Sequence, residues 1–74
     1  MTVQELNSLL GEKIIYYRKK RGWTQAKLAN KAGISASILS CFEHGKYLPG
    51  GKSLILISSA LGIEVWQLFY KDKQ

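Results

Sequence analysis

The chain has 74 residues, one cysteine, one histidine and a formal net charge of +6. A hydrophobic core of that size supplies only about 3–5 kcal/mol, Cys41 alone closes no disulfide within the chain, and His44 with Cys41 leaves too few soft ligands for a structural zinc site. No apolar run approaches the roughly 20 residues of a membrane span, and the first residues lack a basic stretch leading into an apolar signal core. The expectation is a cytoplasmic protein forming one domain over residues 1–74, with no metal, no cofactor and no membrane partner.

The charge is concentrated in the middle. Residues 13–52 carry nine Lys or Arg against Glu43 alone, residues 1–12 carry only Glu5 and Glu12, and beyond residue 52 Lys71 and Lys73 offset Glu64 and Asp72. A basic segment of this kind is the electrostatic footprint of a nucleic-acid binder. An enzyme has little to work with, because the chain shows no Ser/His/Asp constellation, no paired carboxylates near a histidine and no phosphate loop. The chain is therefore read as non-enzymatic.

Apolar residues follow helical spacing, and no alternating pattern is long enough for a sheet. Thr2 and Glu5 make a capping-box signature, after which Leu6, Leu9, Leu10, Ile14 and Tyr17 recur every three or four residues. Gly11 is expected to kink or interrupt this first helix, and Gly22 to end it. Thr24 caps a second helix with Leu28, Ala29 and Ala32 inward. Gly33 stops it, and Ser35 caps a third helix over about residues 35–43. In that helix Leu39 and Phe42 share one face, while Ala36, Ser37, Ser40 and Cys41 share the opposite one. After the irregular stretch EHGKYLPGG, a fourth helix begins near Lys52, ends before Gly62 and buries Leu54, Ile57, Ser58 and Leu61. Val65, Leu68 and Phe69 suit a short fifth helix.

Two short helices joined through a glycine that can take a left-handed conformation form a helix-turn-helix, with Gly33 as the turn residue. The residues around it resemble the Cro and repressor type of phage helix-turn-helix domain over roughly residues 10–69. The likeness rests on Arg18 and Gly22, Thr24-Gln25, Leu28-Ala29, Ala32-Gly33-Ile34-Ser35, Leu39, Glu43 and Gly45-Lys46, with Pro49, Leu54, Leu61-Gly62 and Leu68 completing it. The resemblance implies an all-α, five-helix, lambda-repressor-like fold whose third helix enters the major groove of double-stranded DNA.

The outward residues Ala36, Ser37, Ser40 and Cys41 are the candidates to touch bases. None is an Arg, Lys, Asn or Gln able to make a bidentate base contact, so DNA shape is expected to carry a larger share of specificity. Gln25 sits where its amide and the open backbone N–H groups of the second helix can meet a phosphate, as the matching glutamine does in the family. Lys46 is a second phosphate candidate, followed by Ser35, Lys27 and His44. The family's pattern also implies a structural ion pair between Arg18 and Glu43.

Leu56 falls roughly opposite the inward stripe of the fourth helix and has no evident place in a monomer's core. With Tyr47, Leu48, Trp66 and Tyr70 it forms a candidate dimer interface. The expected function is a homodimeric regulator of transcription on a palindromic operator, with RNA polymerase as a further partner if it activates. The chain ends soon after the fifth helix, so no effector-binding domain is expected. The competing reading is a protein-interaction module that works through the Leu56 and Trp66 side and binds DNA weakly. Phage, restriction-modification and antitoxin contexts all remain open.

Overall fold

A computed structural model describes residues 1–70; the charges at Lys71, Asp72 and Lys73 lie outside the described residues. Among the described residues there are four α-helices and no strand: α1 (Val3–Lys20), α2 (Gln25–Ala32), α3 (Ala36–Glu43) and α4 (Gly51–Leu61), followed by a single 3-10 turn at Val65–Leu68. No helix among them is long and apolar enough to cross a membrane.

Each of the first three helices starts on a hydroxyl cap. The Thr2 hydroxyl accepts from the Glu5 N–H at 3.1 Å, and the Glu5 carboxylate accepts from the Thr2 N–H at 2.7 Å. Thr24 and Ser35 accept from the N–H groups of Lys27 and Ile38, both at 3.1 Å. Each cap satisfies one of the donors that a helix start leaves open, a contribution of about 1 kcal/mol. Arg18, Lys19 and Lys20 occupy the last turn of α1, where cations suit the helix dipole.

Gly11 does not kink α1, which runs unbroken through it. The glycine serves a close approach instead. A Cβ at this position would lie 2.5 Å from the carbonyl oxygen of Glu43 and 2.6 Å from that of Phe42, so only glycine lets α1 lie against the end of α3. Gly33 ends α2 with φ +74°, and the Ile34 N–H returns to the Ala29 carbonyl at 3.0 Å. That turn redirects the chain by one tight step into α3.

The core is built from Leu10 and Ile14 of α1, Leu28, Ala29 and Ala32 of α2, Leu39 and Phe42 of α3, Ile57 and Leu61 of α4, and Leu68. Two expectations are corrected. The fifth element is not an α-helix: it is one 3-10 turn held by bonds such as Gln67 N–H to the Glu64 carbonyl at 3.0 Å, and only Leu68 of it is buried, with Phe69 left 40% exposed. A four-residue segment with one buried anchor gains too little to propagate an α-helix. Leu56 is not stranded outside, since it is half-buried and packs against the core. The reason is that α4 packs against both α2 and the 3-10 turn, so a second flank of the helix is covered. The exposed large apolar residue of that helix is Ile55, at 58%.

Candidate nucleic-acid interface

Glu43, the last residue of α3, is the centre of a polar cluster joining three helices. Its carboxylate accepts from Arg18 Nε at 2.7 Å and Arg18 Nη2 at 3.0 Å, a bidentate pair whose side chains are 12% and 2% exposed for Arg18 and Glu43 respectively. Arg18 Nη1 also donates to the Trp23 carbonyl at 2.8 Å. A third donor reaches the same carboxylate: Gln25 Nε2, from the first turn of α2, at 2.8 Å from Glu43 Oε1. Fork geometry and burial make such bonds demanding in position.

The bond from Gln25 is absent from the sequence expectation and changes how that residue is understood. One amide hydrogen is committed to Glu43, which orients the half-buried side chain. The Thr24 hydroxyl has taken the Lys27 N–H, so the backbone N–H groups of Gln25 and Ala26 are the open donors of that helix end. A phosphate placed there would meet fixed donors.

On α3, Ala36 and Ser37 are exposed, and Ser40 and Cys41 are half-buried with the Cys41 thiol free. The opposite face holds the buried Leu39, Phe42 and Glu43. Ile38 is 49% exposed, an apolar residue that the two-face reading of the helix passed over. Its position, about 100° from Leu39 on a helix, put it on the flank between the faces, where spacing alone does not assign a residue. Lys27, Ser35 and Lys46 are exposed. So is His44, but its Nδ1 lies 2.8 Å from the Ser40 carbonyl.

The basic run after Arg18 divides. Arg21 Nε donates to the Leu61 carbonyl at 3.0 Å and its guanidinium lies 5.1 Å from the Trp23 ring, tying α1 to the C-terminus of α4. The Lys13 and Lys20 ammoniums lie 5.9 and 5.7 Å from the Tyr16 ring. Tyr47, Leu48, Ile55, Trp66, Phe69 and Tyr70 are all exposed, and the Trp66 and Tyr70 rings meet edge to face at 5.9 Å.

This geometry has known counterparts. Residues 14–65 match the helix-turn-helix family, and the chain belongs to that family of transcriptional regulators. It is 41% identical over 56 residues to an immunity repressor protein of Bacillus phage phi105, covering 76% of this chain and 39% of the repressor. The chain thus spans well under half of that relative. The fold is similar to the N-terminal DNA-binding domain of SinR from Bacillus subtilis, with a TM-score of 0.83 at 31% identity, over 90% of this chain and 99% of that one. It is also similar to the restriction-modification controller protein C.AhdI from Aeromonas hydrophila, with a TM-score of 0.83 at 25% identity, over 85% and 96% of the two chains.

Proposed function

We propose that this protein is a sequence-specific transcriptional regulator that binds double-stranded DNA as a homodimer and places α3 in the major groove of a palindromic operator. The observation that carries the reading is the cluster at Glu43. It ties the start of α2 to the end of α3 through the Gln25 and Arg18 bonds to Glu43, which supports a reading in which Gln25 meets a backbone phosphate when α3 lies in the groove.

In this reading Ala36, Ser37, Ser40 and Cys41 face the bases. Gln25, Ser35, Lys27, Lys46 and His44 hold phosphates. Arg18 and Glu43 are scaffold, Gly33 is the turn residue, and residues 1–74 act as one DNA-binding domain. The relatives are named as regulators rather than enzymes, which supports a non-catalytic role. A cytoplasmic location follows from the partner, and contact with RNA polymerase applies only if the protein activates.

The exposed large apolar residues favour dimerisation. Tyr47, Leu48, Trp66 and Tyr70 are the interface candidates retained, Ile55 is added, and Leu56 contributes at most its exposed edge. The test is selection of duplexes from a random library by the purified protein, followed by sequencing. Two inverted half-sites with centres about ten base pairs apart are expected. Unenriched binding that falls steeply with salt would refute sequence-specific regulation and leave nonspecific phosphate contact.

A further inference from the structure

The outward residues Ala36, Ser37, Ser40 and Cys41 of α3 are all short. Ile38 is the long exception. It is 49% exposed and is absent from the partly buried apolar residues that pack on the core, so the fold gives it little to do. On a helix it lies about 60° from Cys41, continuing the strip formed by Ser37 and Cys41. Its backbone is pinned in the first turn, where its N–H donates to the Ser35 hydroxyl at 3.1 Å. A β-branched side chain in a helix keeps one strongly preferred χ1 rotamer, so Cγ1 and the Cγ2 methyl are already in place before anything binds.

An aliphatic group can hydrogen-bond neither a phosphate nor a base edge. What the major groove offers it is the C5-methyl of thymine, which only one base carries. We propose that Ile38 packs against a thymine methyl in each half-site and makes thymine a determinant of specificity at that position. The inference rests on α3 being the groove-entering helix, as proposed above.

Replacing thymine by deoxyuridine removes the methyl and leaves every hydrogen-bonding group unchanged. The experiment takes the operator recovered by selection, substitutes its thymines one at a time, and measures Kd by fluorescence anisotropy. One position per half-site is expected to weaken binding about fourfold, the value of one buried methyl group. Ile38→Ala should bind the unsubstituted operator more weakly and be indifferent to deoxyuridine there, whereas Ile38→Val should keep the sensitivity. Ala is the better helix former at an exposed position, so Ile38→Ala is expected to fold, as its melting curve would show. Selected binding with the same deoxyuridine penalties in the wild type and Ile38→Ala overturns the inference alone. A failure to select any duplex overturns the placement of α3 and the inference with it.

Discussion

Replacing Glu43 by Ala removes the acceptor for three hydrogen bonds at once. The Arg18 guanidinium, with a side chain only 12% exposed, would keep just its bond to the Trp23 carbonyl, and the Gln25 amide would lose its protein partner. Removing one partner of a buried ion pair costs about 3–5 kcal/mol, mainly through the charge left behind. A chain of this length is stabilised by roughly 4–11 kcal/mol in all, so Glu43→Ala is expected to be near the limit of folding. At about 4–8 °C per kcal/mol for a small domain, the melting temperature should fall by some 12–40 °C. Urea denaturation followed by circular dichroism measures the loss directly. Exchanging both partners for apolar residues of similar shape should recover much of it, since no stranded charge remains. A loss of less than about 1 kcal/mol for Glu43→Ala would refute the reasoning, because that is the behaviour of a solvated pair.

Gly11→Ala should destabilise by about 1–3 kcal/mol in the same assay, since its methyl would meet the Glu43 and Phe42 carbonyls and force α1 away from α3. At Gly33 the space is open and only the left-handed backbone opposes a side chain, so Gly33→Ala should cost about 1–2 kcal/mol, and a neutral result would contradict the turn geometry. Gln25→Ala and Lys46→Ala are expected to weaken binding on operator and random duplexes alike, with Lys46→Ala also lowering the slope of log K against log salt by about one; a change confined to one sequence would reassign them to the bases. Trp66→Ala should shift sedimentation toward monomer at low micromolar concentration, and an unchanged dimer would move the interface off this face.

Much of the fold is legible where local chemistry decides it. Thr2, Thr24 and Ser35 are capping residues by type, and Gly33 precedes a cap in a pattern with few solutions, so the starts of α1 to α3 and the turn between α2 and α3 follow from neighbours in the chain. What escapes is decided by distant partners. Gly11 reads as a helix breaker until α3 is laid against it. Leu56 reads as exposed until a second flank of α4 is covered, and Gln25 reads as a free surface amide until Glu43, 18 residues away, is brought to 2.8 Å. Ile38 fails for a different reason: a residue on the border between two helix faces has no periodicity of its own.

The short side chains of α3 and the stiffness of its mounting belong together. A long Arg or Gln can search for its base by rotating several bonds, whereas Ser37 reaches a base only if the whole helix is held in the right place. In this protein α3 is held at both ends, by the Ser35 cap and the Ile34 to Ala29 bond at its start and by Glu43 at its finish, where Arg18, Gln25 and the close approach of Gly11 converge. Loosening that mounting should therefore damage discrimination more than attraction. Glu43→Gln keeps the shape and one acceptor oxygen but leaves the Arg18 charge unpaired, so it is expected to cost about 3 kcal/mol, the lower end of the range for Glu43→Ala, and binding is measured at a temperature where its melting curve shows it folded. Its affinity for random duplex, set by phosphate contacts, should stay within about threefold of wild type, while its preference for the selected operator falls by tenfold or more. Equal losses on both kinds of DNA would mean that the Glu43 cluster serves stability only and that specificity does not depend on how α3 is mounted.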